Sequence, residues 1–380
     1  MKVAVVVRSN IFHGAERRAV KIFSHLLERG RDVELWVSGG LSGHIEKHFP
    51  ELLPHVVIYD KGSAGVASVE KRSRRGLRRL LAKSALLRRI VYKHRAAGVP
   101  ELVKRRNVDL AHIFLDFSFP VPSVAGCSTV FEVTSPDIAK HLGAMPEDFI
   151  KGHTLFNAVS DSVYGVSRKY IDDDKLTTAP LPYFRPSTLI PSMPGHKENA
   201  ITFAARLISR KNGILFANAV DAFLSRHESW RVDILGNGPD EDAIKAILSR
   251  WIENGRAFVG KVSDVTPYLI KSKIFVSVIE PDNYPSQSVM EAMYAGNALL
   301  LSDTGMSKQK FIDGNGRVVD LTKEGVVDGL EALVSSDNLG DLGVRSRQLV
   351  SERFSADNYV DYIEGLYRSA LTNDSDSHRK

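Results

Sequence analysis

The first 38 residues limit the architecture more tightly than any other stretch. Residues 2–7 (KVAVVV) read as a buried strand, and residues 15–29 carry Ala19, Phe23, Leu26 and Leu27 at helical spacing. Gly30 stands where a helix C-terminus takes a left-handed residue, and residues 32–38 (DVELWVS) read as a second strand. Strand, helix and strand with tight connections form a βαβ unit, whose crossover makes the sheet parallel.

The alternation continues less regularly, with strands expected at residues 56–59, 110–114, 128–133 and 158–160. Residues 187–199 (STLIPSMPGHKEN) have two prolines, a glycine and no apolar period, the pattern of a connector. A cleaner series follows, with strands at 200–205, 232–236, 257–260, 274–279 and 298–302 and helices near 213–225, 241–251 and 289–295. At about 100–200 residues per domain, 380 residues make two domains. The expected boundaries are an N-terminal domain 1–190 containing a basic segment 71–106, a C-terminal domain 191–355, an amphipathic helix 356–371 and a disordered tail 372–380. Two α/β halves leave a cleft between them, a common place for a ligand.

Hydrophobic residues at 43 % and charged residues at 25 % exclude wholesale disorder and fibrous chains. Cys127 is the single cysteine, so no internal disulfide forms. No apolar run approaches the roughly 20 residues of a membrane span, and the start lacks a signal peptide. A soluble, cytoplasmic protein is the expectation. The total charge of +6 is unevenly spread: residues 71–106 hold fourteen Lys and Arg against Glu101, a local +13 that leaves −7 for the remainder. Such an element faces an anionic partner.

Four stretches have the makings of a site. The turn from Arg8 to Glu16 runs from a strand end into a helix N-terminus, where free N–H groups attract anions and Gly14 permits close approach; an ordinary βα loop accounts for it equally well. Arg206 and Lys211 flank another such turn, where both cations can converge on a diphosphate, with Arg210 adding a third charge; a solvated basic surface is the competing reading. Gly236-Asn237-Gly238-Pro239 follows a strand but lacks the third glycine of a dinucleotide fingerprint, and a tight βα turn explains it equally well. The loop from Val278 to Ala298 contains Asn283, Ser286, Gln287, Ser288 and Glu291 and leads into a helix expected near Ser288. There Ser288 and Glu291 have capping-box spacing, against the alternative in which the amides hold phosphate and Glu291 accepts from ribose hydroxyls.

Taken in order, the Gly14-Ala15-Glu16 turn, Arg206 with Lys211, Gly236-x-Gly238-Pro239, Val259-Gly260, Glu291-Ala-Met-Tyr-Ala-Gly296 and residues 354–366 resemble the retaining GT-B glycosyltransferases of family 4. The resemblance implies an α/β chain with two Rossmann-like α/β/α domains facing a central cleft, and a terminal helix crossing back to the first domain. It implies a nucleotide-sugar donor (a UDP- or GDP-sugar), with Arg206 and Lys211 on the diphosphate, Glu291 on the ribose, and Ser286, Gln287 and Ser288 near phosphate or sugar. It further implies retention of configuration with no required metal or cofactor. Asn283 departs from the pattern by standing where the family has a first glutamate; Glu280 and Asp282 are the nearest acids. Where the family often has a His-Asp pair, this chain has Glu132, with Asp137 as a second candidate catalytic acid; a buried, satisfied glutamate is the competing reading.

Residues 76–91 set Leu77, Leu80, Leu81, Leu87 and Val91 near one helical face, with Arg74, Arg75, Arg78, Arg79, Lys83, Arg88 and Arg89 around it. This is the pattern of a helix lying on anionic lipid, which points to a peripheral position on the inner membrane face and a membrane-proximal glycan or lipid-linked acceptor; together with the family resemblance it implies polysaccharide or lipopolysaccharide assembly. Packing of the leucines on the first domain is the alternative. Nucleic acid is not expected, since the segment has a lone aromatic, Tyr92, and no recognition motif. A sugar-nucleotide epimerase of the same fold and a non-enzymatic anionic-surface binder are the rival functions.

Overall fold

The computed structural model describes residues 1–10, 12, 14–60, 98–119, 126–186, 197–282 and 284–377. The chain divides into two compact units, one formed by Met1–Tyr183 with Asp357–Lys380 and the other by Phe184–Ala356. Each is a parallel α/β unit, and the whole is an α/β chain with two Rossmann-like sheets.

The first unit is built on seven strands: β1 (Val3–Val7), β2 (Val33–Ser38), β3 (Val56–Asp60), β4 (Leu110–Phe114), β5 (Ser128–Val133), β6 (Leu155–Ala158) and β7 (Leu176–Thr178). Their order is β3-β2-β1-β4-β5-β6-β7. Because β1 and β4 are central and covered on both sides, they read as unbroken apolar runs, with every residue of β1 buried. Strand alternation sends Ala4, Val6, Ala111, Ile113, Phe131, Val133, Phe156 and Ala158 into one apolar core. On the other face the register aligns Phe114, Glu132, Asn157 and Thr177 across β4 to β7. Helices Gly14–Glu28 and Ala356–Ser377 cover that face.

The second unit has six strands: β8 (Glu198–Ala204), β9 (Arg231–Leu235), β10 (Ala257–Gly260), β11 (Ser272–Ser277), β12 (Ala298–Ser302) and β13 (Gly316–Val319). Their order is β10-β9-β8-β11-β12-β13. One core gathers Phe203, Phe216, Phe223, Trp230 and Ile234 on one side. Phe275, Met290, Leu299 and Phe311 form another core on the opposite side.

Four expectations are corrected. The strand expected at 158–160 is Leu155–Ala158, because Ser160 is extended as an N-cap whose Oγ accepts from the Val163 N–H. The helix expected over 241–251 is two, Glu241–Ile247 and Ser249–Glu253, interrupted at the fully buried Leu248. The helix expected from Ser288 begins at Gln287. The tail from residue 372 is helical to Ser377, a helix once formed propagating at little cost, and Thr372 Oγ1 donates to the Ser369 carbonyl at 2.9 Å. Most of the connector 187–199 and of the basic segment 71–106 lies outside the described residues.

Candidate functional site

The most distinctive local chemistry lies in the second unit, at the C-terminal end of β8, where Arg206, Arg210 and Lys211 occupy one short loop. The loop contains a 3-10 turn, Ser209–Lys211, and closes on Asn212, whose φ of 52° is in the left-handed region that asparagine tolerates. Asn212 Nδ2 donates to the Val278 carbonyl at 2.9 Å, and the Glu280 N–H donates to the Arg210 carbonyl at 3.1 Å. These bonds fix the cationic loop to the segment that leaves β11.

The loop after β9 braces it from the other side. The Leu207 N–H donates to the Asn237 carbonyl at 2.9 Å, and the Asp240 N–H to the Leu207 carbonyl at 3.1 Å. This approach requires Gly236 and Gly238: a Cβ on the first would stand 1.9 Å from the Ala205 carbonyl oxygen, and on the second 2.1 Å from that of Leu207. Both glycines thus act through backbone packing that shapes the cation loop.

Arg206 and Arg210 are exposed and Lys211 is half-buried; among the described residues none is ion-paired with a carboxylate. Burial first, and then the neighbouring Arg210 and Arg206 guanidiniums, push the Lys211 ammonium down to about 8. Three cations held by backbone bonds without counter-charge favour an anion, and a branched polyanion such as a diphosphate can meet several at once.

The loop after β11 differs in detail from expectation. Asp282 Oδ1 accepts from the Tyr284 N–H at 2.9 Å and the Met306 N–H at 3.2 Å, so this acid binds its own loop to the one after β12. Gly305, at φ 56°, gives it room, since a Cβ there would lie 2.3 Å from Asp282. Tyr284 is buried against Phe311, ring centroids 5.4 Å apart, while Glu280 is exposed. The cap of helix Gln287–Tyr294 is Ser286, whose Oγ accepts from the Val289 N–H at 3.4 Å. With the cap two positions earlier than expected, the Ser288–Glu291 capping box does not form, and Glu291 lies beyond the third helical residue, half-buried on the same helix as Ser288. Gln287 is exposed in the first turn. Asn283 lies outside the described residues.

The remaining candidates belong to the first unit. Gly14 opens helix Gly14–Glu28, is exposed, and would accept a Cβ without contact inside 4 Å. Beside it Glu16 is buried and accepts from Ser9 Oγ at 2.7 Å. Asp137 is exposed in the first turn of helix Pro136–Leu142, which Ser135 caps.

Glu132 is 0 % exposed. Its Oε1 pairs with Arg18 Nη2 at 2.6 Å and accepts from the Tyr359 hydroxyl at 3.4 Å; Arg18 also donates to that hydroxyl. Its Oε2 accepts from Asn157 Nδ2 at 2.8 Å and from His112 Nε2 at 3.2 Å. Burial alone would raise its pKa, but Arg18, His112 and Asn157 together hold it below the usual carboxylate range. The carboxylate is an acceptor only, so His112 Nε2 carries the proton. The Tyr367 hydroxyl lies 2.8 Å from the other ring nitrogen, Nδ1. Asn157 Oδ1 accepts from Tyr362 at 2.7 Å. Glu132 is thus satisfied by side chains and not by helix amides, and it anchors three tyrosines of the terminal helix.

Another buried carboxylate escaped the sequence reading. Asp116, just past β4, is 1 % exposed and accepts from Arg8 Nε at 3.0 Å, the Ser118 N–H at 2.9 Å and the Tyr59 hydroxyl at 2.5 Å. Leu115 before it adopts φ 61°, unusual for a side-chain-bearing residue. Nothing in Leu-Asp-Phe-Ser signals this; only the strand order, which places the end of β1 beside that of β4, brings Arg8 to Asp116. Arg74, Arg75, Arg78, Arg79, Lys83, Arg88 and Arg89 lie outside the described residues. Among the described residues no group of three His, Cys, Asp or Glu is placed to hold a metal ion, and no helix is long and apolar enough to cross a membrane.

Residues 198–336, which contain the cation loop and the helix bearing Glu291, match the family model described as glycosyl transferases group 1. The fold is shared with a glycosyltransferase from Rickettsia africae ESF-5, with a TM-score of 0.73 and 15 % identity over 98 % of this chain and 99 % of that one. It is shared with Anabaena HepE, solved in complex with UDP and glucose, with a TM-score of 0.69 and 13 % identity over 97 % and 100 %. Sucrose-phosphate synthase from Thermosynechococcus elongatus is similar too, with a TM-score of 0.70 and 12 % identity over 98 % and 100 %. No curated protein matches the chain. The chain thus shares its whole fold with these solved structures, and residues 198–336 of its second unit match the group 1 glycosyl transferase model.

Proposed function

We propose that this chain is a retaining glycosyltransferase of family 4 that moves a sugar from a UDP- or GDP-sugar to a membrane-proximal glycan or lipid-linked acceptor. Its expected setting is cell-surface polysaccharide or lipopolysaccharide biosynthesis. The observation that carries the reading is the braced loop of Arg206, Arg210 and Lys211, without carboxylate partners among the described residues, inside the region that matches the group 1 model. As the donor's glycosidic bond breaks, negative charge grows on the departing β-phosphate; cations already fixed in place stabilise that charge without reorganising. Glu291 accepts from the ribose hydroxyls, the amides around Ser286, Gln287 and Ser288 approach phosphate or sugar, and Asn283 contacts the donor sugar. The acceptor hydroxyl attacks from the face the leaving group vacates and passes its proton to the departing phosphate. Of the two candidate catalytic carboxylates in the first unit, exposed Asp137 has surface to offer an acceptor, whereas Glu132 acts through the elements it holds. The basic segment 71–106 supplies contact with the anionic membrane.

The test is a thermal-shift panel of nucleoside diphosphates and their sugars against the protein and its Lys211→Ala and Glu291→Ala variants. Stabilisation by one base, weakened in both variants, supports the reading; at a hundred times Kd it amounts to about 2.7 kcal/mol. No stabilisation at millimolar ligand refutes the donor site.

A further inference from the structure

The cation loop raises a question about charge that goes beyond which ligand it holds. Arg206 and Arg210 are permanently charged, while Lys211 is the member able to shed its proton, and it is the half-buried one. From the neighbouring elements the backbone bonds draw in Asp240, after β9, and Glu280, after β11; neither is ion-paired with any of the three cations. Like charges crowd Lys211 from its own loop, and among the described residues no carboxylate is ion-paired with it.

We propose, resting on the donor reading above, that a nucleoside diphosphate enters this loop together with a proton, which Lys211 Nζ takes up on binding. In the free protein the ammonium form is disfavoured by burial and by the two guanidiniums, which push it down to about 8. A bound diphosphate brings negative charge to the loop, offsets the guanidiniums and restores the ammonium form. By linkage, affinity then falls as pH rises through the free protein's value, because more of the protein must first acquire the proton. The ligand contributes no titration of its own near pH 8, since a terminal phosphate has its second ionisation near 6.

Isothermal titration of the full chain with UDP, and with GDP, in two non-phosphate buffers of different ionisation enthalpy reads the proton count directly. At pH 8 about half a proton is taken up per nucleotide bound, and much less at pH 7, where Lys211 is already mostly an ammonium and the terminal phosphate is mostly ionised. Kd weakens about tenfold from pH 7 to pH 9. Arg210→Gln removes one like charge, so uptake at pH 8 shrinks, and Lys211→Met abolishes it in whatever binding survives. Nucleotide binding to the unmodified protein with no proton uptake at pH 8 overturns the inference and leaves the donor site standing. Failure of both nucleotides to bind at either pH overturns the donor reading and this inference with it.

Discussion

Arg18 and Glu132 meet at 2.6 Å with Glu132 fully buried, and the pair extends through His112, Asn157 and Tyr359 until each carboxylate oxygen has two partners. A buried ion pair contributes little over apolar residues of the same shape, but removing one member leaves the other charge stranded. Glu132→Ala is therefore expected to destabilise the protein by about 3–5 kcal/mol in chemical denaturation, with Arg18→Met close behind and the two losses far from additive. An unchanged denaturation midpoint with lost transferase activity would return Glu132 to a direct chemical role. Arg29 and Asp361, 2.6 Å apart, make a contrast: Asp361 is 67 % exposed, so solvent leaves that pair worth about 1 kcal/mol or less.

Among elements, the terminal helix Ala356–Ser377 shows how far the sequence was legible. Its apolar period is plain, with Tyr359, Ile363 and Tyr367 fully buried. Its polar partners were not legible, since Tyr359 and Glu132 are 227 positions apart and only the register of β4 to β7 makes them neighbours. The same division holds elsewhere. β4, β5 and β12 were readable because a covered strand is an apolar run between breakers, whereas β7, three residues long, is defined by its pairing with β6. The cations of the β8 turn were readable, and the fixing of that turn by Asn212 was not, because its bond goes to a carbonyl 66 positions away. Truncation after Ser355 is expected to remove the cover of the first sheet and abolish cooperative unfolding of the first unit. Truncation after Leu371 is expected to change its denaturation midpoint little, because Ala370, the last fully buried residue among those whose burial is described, is kept.

For the molecule as a whole, charge is the property that composition states most clearly. A local +13 over residues 71–106 against −7 elsewhere is a dipolar distribution that long-range fields act upon. The chain is expected to co-sediment with vesicles containing anionic phospholipid and not with neutral ones, and to be released as salt shortens the Debye length from about 10 Å at 0.1 M to about 3 Å at 1 M. Replacing Arg74, Arg75, Arg78 and Arg79 with serine should weaken sedimentation while UDP or GDP affinity stays the same. Equal binding to neutral vesicles would refute the electrostatic account.

The order of the chain through its two units has a consequence during synthesis. The strands of the first sheet are complete by Thr178, yet the helix that covers Glu132 and His112 is made only after the whole of Phe184–Ala356. At about 5–20 residues per second, on the order of ten seconds or more separate the two. Throughout that interval the nascent first sheet carries a buried-type carboxylate and histidine facing water or a chaperone, while the second unit, whose residues are contiguous, can finish folding first. The half of the protein translated first is thus the half completed last.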